Sequence, residues 1–402
     1  MSCAAAIPRR ARALAALAVL VPVAPALLVP AALAAQVPDS AVDRPFVRGG
    51  IYDKPYLGSI AGRAAIGGYA EAHAVWLRED GVTGEAGFIA KRFNLFTAAR
   101  VSDIVRFGAE LEFEEGGEEV KLEFAAIDLL LHPAVALRAG MILSPLGRFN
   151  LAHDSPLNPF TDRPFVSTEL LGVALSEPGL GVFGLVPLGA GRVSYEVYGV
   201  NGFHSGLIDD AEEGTRLPLG RGNFEDNNAS PALVGRLAYS PSTAAEVGFS
   251  AHHGAYNVFD DEGLAIDERR DVTVFVGDFE IAVAGFTLTA EAATVDVDIP
   301  PGLVGIFASG QRGVFADLVR PFGRGWFRTL PASYLAAAAR VDAVDFDTDR
   351  PGDSTWRVTA GLNFHPTPES AVKLDLVRGG TRDRFENRGD HAGVQFSLAT
   401  YF

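Results

Sequence analysis

The chain has 402 residues, 48% of them hydrophobic and 21% charged, with 34 Lys and Arg against 50 Asp and Glu. That apolar fraction excludes a disordered chain, and a formal charge of −16 excludes the basic face that nucleic acid needs. A single Cys excludes a disulfide scaffold and a Cys-based zinc site.

Residues 1–35 read as a secretory signal peptide. Arg9, Arg10 and Arg12 precede an Ala/Leu/Val run from Ala13 to Leu33, and Ala32-Leu33-Ala34 supplies a small-x-small cleavage site. Pro22, Pro25 and Pro30 interrupt the run and oppose an uncleaved anchor. Removing those three Arg, and no acid, takes the formal charge from −16 to about −19. Residues 36–58 form a periplasmic lead-in. Beyond it no apolar run reaches the roughly 18 residues of a membrane-spanning helix.

From Ser59 onward the pattern has period two. Val105, Phe107, Ala109, Leu111 and Phe113 alternate with Arg106, Gly108, Glu110 and Glu112. Trp356, Val358, Ala360, Leu362 and Phe364 alternate with Arg357, Thr359, Gly361, Asn363 and His365, and Val394 to Phe402 repeats the scheme. Successive strand side chains point to opposite faces, so each segment has one apolar and one polar or small face. About sixteen such segments follow one another, beginning with cores at 62–78, 88–101, 104–114, 119–131 and 135–144 and ending with 355–365, 371–379 and 392–402.

The connections alternate in length. Long ones lie at 114–119, 145–171, 203–230, 257–270, 298–311, 347–354 and 380–391. Between them stand short ones such as Ser102-Asp103, His132-Pro133, Pro241-Ser242 and Ala284-Gly285, with 322–331 the least regular. A sandwich would spread long loops over both ends, whereas an outer-membrane barrel elaborates one end only. The expected fold is therefore all-β: a transmembrane antiparallel β-barrel over 59–402, with short periplasmic turns and long external loops. The terminal Phe402, with apolar residues at alternate positions before it, suits the signal read by the outer-membrane barrel-assembly machinery.

The run Val120-Lys121-Leu122-Glu123-Phe124, Ala126-Ile127-Asp128 and Leu137 to Gly147, with Phe160 to Phe165 and Gly172 to Leu175, resembles the phosphate-selective porin O/P family. The resemblance spans roughly residues 60–190. It implies a sixteen-stranded barrel, a homotrimer, and passage of small hydrophilic solutes, anions or phosphate without any cofactor. One departure stands out: the chain has only Lys54, Lys91, Lys121 and Lys373, where phosphate-selective members carry many pore lysines and arginines.

On the period-two reading Arg106, Lys121, Arg138, Arg340, Arg357, Glu110 and Glu123 face the lumen, among similar numbers of cations and acids. Opposed rows of charge set a transverse field across a wet channel. The same residues could simply pair across strands. The connection 145–171 is expected to fold inward and place Arg148, Asp162 and Arg163 at a constriction, the alternative being a place on the outer rim or at a subunit contact. The acidic runs at 209–213, 260–262 and 345–349 read as solvated loops, the alternative being Ca²⁺ held through their carboxylate oxygens, and no other metal site is expected. His153-Asp154-Ser155 puts triad residue types side by side, but a triad is made by spatial convergence. The sequence thus points to a porin for passive diffusion, embedded in outer-membrane lipid. Its rivals are a non-transporting barrel acting as adhesin or structural element, and an outer-membrane hydrolase.

Overall fold

A computed structural model describes residues 46–51, 53–55 and 63–402. The chain divides into Met1–Asp39, outside the described residues together with the expected leader, and Ser40–Phe402, which holds the barrel.

The strands are β1 (Ala64–Glu79), β2 (Val82–Arg100), β3 (Val105–Glu114), β4 (Glu119–His132), β5 (Val135–Leu143) and β6 (Ser176–Leu188). Next come β7 (Gly191–Val200), β8 (Ala232–Ser242), β9 (Ala245–Ala255) and a small hairpin, β10 (Asp260–Asp261) with β11 (Leu264–Ala265). The last are β12 (Asp271–Val283), β13 (Phe286–Val297), β14 (Gly310–Phe322), β15 (Tyr334–Asp345), β16 (Ser354–His365), β17 (Ser370–Arg382) and β18 (Arg388–Tyr401). All but the hairpin form one closed antiparallel barrel of sixteen strands, β9 pairing directly with β12. β1 closes on β18 from Tyr69↔Tyr401 to Glu79↔His391, and Gly68 and Phe402 exchange backbone hydrogen bonds at 3.2 and 3.0 Å. Closure removes the sheet edges, whose unpaired backbone groups could not exist in lipid.

The alternation of loops holds, with three exceptions, the first being residues 115–118, expected as a long connection but no longer than 101–104 or 366–369 at the other end. Asp80-Gly81 is a tight turn on the long-loop end, and β2 starts at Val82, ahead of the expected core. Residues 323–333 form the longest connection on the short-turn end.

The radial sorting is inverted relative to a water-soluble protein. Along β16, Trp356, Val358 and Leu362 are 46%, 45% and 48% exposed, while Arg357, Thr359 and Asn363 are 5%, 3% and 2% exposed. β18 repeats this, with Phe396 and Leu398 outside and Gln395 and Ser397 inside. One sector departs from the expected polar interior. Toward the long-loop end the inward residues Val272, Val274, Val276, Ala293, Val295 and Val297 pack on Leu146, Val166, Leu170, Phe203, Leu207 and Leu217 from the connections. Loops folded into the barrel need an apolar core of their own, and each buried side chain of this size contributes about 1.5–3 kcal/mol.

Candidate functional site: the lumen and its inward loop

The connection after β5 enters the barrel. Gly147 has φ 80° and a Cβ there would lie 2.6 Å from a Glu291 carboxylate oxygen, so only glycine lets the chain turn against that wall. One helical turn, Arg148–Leu151, follows. Asn150 ties entrance to exit: its amide donates to the Ser144 and Leu175 carbonyls at 2.7 and 3.0 Å and accepts from Leu175 N at 2.8 Å.

From there the loop is stitched across the lumen. Arg148 Nη1 and Nη2 lie 3.0 and 2.7 Å from Glu246 and Glu280 on β9 and β12, and Phe149 N donates to Glu291 on β13 at 3.1 Å. Ser155 Oγ donates to Glu71 on β1 at 2.6 Å, and Thr161 N donates to Asp375 on β17 at 2.6 Å. Lys373 Nζ donates to the carbonyls of Ser155 and Phe160 at 2.8 and 3.0 Å. Arg340 donates to the Asp162 carbonyl at 2.8 Å while its fork grips Asp317 at 2.7 and 2.6 Å. Arg357 donates to Asp162 Oδ2 at 2.7 Å, the Arg163 carbonyl at 2.8 Å and Asp342 Oδ2 at 2.8 Å, with its guanidinium 4.1 Å from the Phe165 ring centre. Charge-assisted bonds and forked Arg contacts are the strong class, so the loop is held firmly.

The stretches 46–51 and 53–55, expected only as part of a lead-in, pack against the inside of the wall. Val47 is buried with Phe124, Leu143 and Leu151, and Phe46 meets Phe183 edge to face at 6.0 Å between ring centres. Lys54 pairs with Asp154 of the inward loop, whose Oδ2 also accepts from Tyr401 Oη at 2.6 Å.

Cavities remain around the inward loop. A large one, about 950 Å³, reaches the long-loop end and is bordered by Asp162, Arg163, Arg357, Glu123, Lys121 and Arg92. Its cations Lys91, Arg92, Lys121, Arg163, Arg221 and Arg357 face the acids Glu71, Glu112, Glu114, Glu123, Asp162 and Glu169. Two smaller ones reach the short-turn end. One of about 380 Å³ is bordered by Arg148, Asn158, Asp317 and Asn363, the other of about 460 Å³ by Phe46, Arg106, Arg138 and Glu196.

The expected site residues are therefore spread over the lumen rather than gathered in one ring. Asp162, Arg163, Arg357, Lys121 and Glu123 border the large cavity, and Lys121 sits at its rim, paired with Glu114 and Glu119 at 3.2 and 3.1 Å. Arg148 staples the far side of the loop, and Arg340 lies buried beneath Asp162. Arg138 grips Asp128 at 2.8 and 3.1 Å and covers Phe183 at 4.5 Å. Glu110 is 1% exposed and accepts from Asn94 at 2.6 Å. Arg163 is held loosely: Glu112 is 3.9 Å away, and its Nε and Nη2, like Nε and Nη1 of Arg92, make no hydrogen bond.

The partners sequence reasoning missed are Lys54, Asn150, Asp317 and Gln395, whose amide donates to Asp162 Oδ2 at 2.8 Å. An Asn inside an apolar-flanked loop and a lone Lys ahead of the barrel were the only signals. The side chains of His153, Asp154 and Ser155 turn to different partners, Glu123, Lys54 and Glu71, so they form no triad. In the acidic loops Asp210 and Asp260 cap their own turns, accepting from Glu212 N and Gly263 N at 2.8 Å each. Burial raises the Asp347 carboxyl above the usual range.

No family model matches the sequence. A protein of Aquifex aeolicus (strain VF5), described as uncharacterized, is 25% identical over 369 residues, covering 83% of this chain and 82% of its own. Among solved structures, an anion-selective porin from Comamonas acidovorans aligns with TM-score 0.53 and 11% identity, over 84% of this chain and 99% of its own. OmpF of Salmonella typhi aligns with TM-score 0.53 and 12% identity, over 84% and 97%. OprB of Pseudomonas putida aligns with TM-score 0.51 and 11% identity, over 87% and 96%. These likenesses are of fold: a sixteen-stranded antiparallel barrel.

Proposed function

We propose that the chain is an outer-membrane porin, a water-filled channel for passive diffusion of small hydrophilic solutes and ions. The observation that carries this reading is the inverted radial sorting combined with a loop stitched across the lumen. An apolar belt facing outward suits lipid, and a charged interior suits water. Aromatic side chains stand exposed toward both ends of the wall, with Trp76, Phe88 and Trp356 toward the long loops and Phe286, Phe322 and Trp326 toward the short turns. That matches the interfacial girdles of membrane barrels.

In this reading the inward loop sizes the passage and the opposed charges of the large cavity filter what enters. Cations and acids there balance, so discrimination is modest, and the likeness to the anion-selective porin of Comamonas acidovorans favours anions. The chain acts without a cofactor and without catalysis. It is secreted by its leader, and its exposed Phe402 is read during barrel assembly. The outer wall, rich in small and apolar residues, also suits a homotrimer.

Single-channel recording in planar bilayers tests the reading, with reversal potential in asymmetric KCl reporting selectivity. Steady conductance with a small anion preference is expected, and its absence from folded protein would overturn the porin. One observation favours a second reading, a sealed barrel with a structural or adhesive role: residues 46–51 pack with the inward loop on the inside of the wall. A folded barrel that never conducts would support it.

A further inference from the structure

The inward loop delivers one side chain whose environment its stitching does not explain. His153 is 2% exposed, and its Nδ1 lies 2.8 Å from the Asn150 carbonyl oxygen. A carbonyl only accepts, so Nδ1 carries a proton and Nε2 is the atom presented to the wall. There Nε2 lies 3.2 Å from Glu123 Oε2. In the neutral ring both atoms bear lone pairs, and they repel unless a positive centre lies between them. That centre is either a proton, carried by the ring or by the carboxyl, or a metal ion.

Four features favour the metal. Glu110 completes a set in which one oxygen of each carboxylate and the imidazole nitrogen all lie within 4.8 Å of one another. Glu123 is 4% exposed and its Oε1 has no hydrogen-bond partner. Its orientation is built in: pairing passes from Glu110↔Phe124 to Leu111↔Leu122, so Glu123 is the extra residue of a β-bulge and both Glu123 and Phe124 turn inward. Of the neighbouring cations, Lys54 is engaged with Asp154 and Arg92 with Glu71, Glu112 and Glu114, and Arg163 stands 3.9 Å from Glu112.

We propose that Glu110, Glu123 and His153 form a divalent transition-metal site of the zinc type, with water completing the coordination. One imidazole nitrogen and two carboxylates suit zinc, whereas calcium and magnesium take oxygen ligands. A ring N–H held by a backbone carbonyl is the usual outer-shell support of a metal-bound histidine. Tetrahedral donors about 2.0–2.1 Å from zinc stand roughly 3.3 Å apart, so Glu110 closes by about 1–1.5 Å through its own torsions. The bound ion clamps the inward loop to β3 and β4 and neutralises two buried carboxylates.

The test uses the folded full-length barrel in detergent, stripped with a chelator and titrated with ZnCl₂ by calorimetry. One equivalent per chain is expected, with no saturable binding of Ca²⁺ or Mg²⁺. Glu123→Gln and His153→Gln weaken zinc at least about tenfold. Unchanged affinity in both folded variants, or less than one equivalent in the wild type, overturns the site. Should the variants not fold, as read by heat-modifiable electrophoretic mobility, ¹⁵N-histidine spectra of the wild type decide. Loss of the Nε2 proton signal on adding zinc supports the site, and an imidazolium that persists in saturating zinc overturns it.

Discussion

Arg357 on β16 and Asp162 in the inward loop stand 195 residues apart in sequence and 2.7 Å apart in space. The same guanidinium holds Asp342 and the Arg163 carbonyl, so one side chain joins the loop to two neighbouring strands. Arg357→Ala leaves Asp342 buried without this partner, which costs about 3–5 kcal/mol when a buried pair is broken. The expected outcome is a lower urea midpoint together with larger, noisier single-channel currents. Arg357→Lys restores the charge but not the fork, so it rescues only part of either effect.

Arg163 should separate selectivity from stability. Its Nε and Nη2 make no hydrogen bond and Glu112 stands 3.9 Å off, so Arg163→Ala leaves the urea midpoint close to the wild type. Removing a charge about 4 Å from a passing ion in a wet lumen is worth about 1 kcal/mol. The reversal potential in asymmetric KCl should therefore move toward cations, by up to about fivefold in permeability ratio.

Lys54 probes the segment inside the barrel. Lys54→Ala leaves Asp154, 1% exposed, with Tyr401 as its remaining hydrogen-bond donor. The unpaired buried charge costs about 3–5 kcal/mol, which favours release of residues 46–55 from the wall. Conductance should rise, and protease should cut near residue 50 in the variant while sparing the wild type.

The outer wall can be tested at Leu376, which is 58% exposed midway along β17. Leu376→Arg at the bilayer midplane costs about 2–4 kcal/mol, so the folded fraction in lipid vesicles should fall. A water-soluble barrel would tolerate the change, and equal folding of both proteins would oppose the membrane reading.

Much of the wall is legible in the alternation of residues alone. The two sets Trp356, Val358, Leu362 and Arg357, Thr359, Asn363 separate by parity, and parity survives because backbone pleating forces neighbours to opposite faces. The site is legible only in part. Asp162 and Arg163 do border the large cavity, but Arg148 proves to be a staple on its far side. The polar-interior rule also fails at Val272, Val274 and Val276, because loops from distant parts of the chain cover them.

By itself, then, the sequence determined the strands, their inner and outer faces and the end that carries long loops, since each depends on residues one to a few positions apart. Only the tertiary structure decided which charges meet. Asn150 closes the loop on Leu175, Lys54 finds Asp154, and a bulge turns Glu123 toward His153. Such pairings depend on barrel closure and on one slipped residue in register, and the local alternation of side chains carries neither.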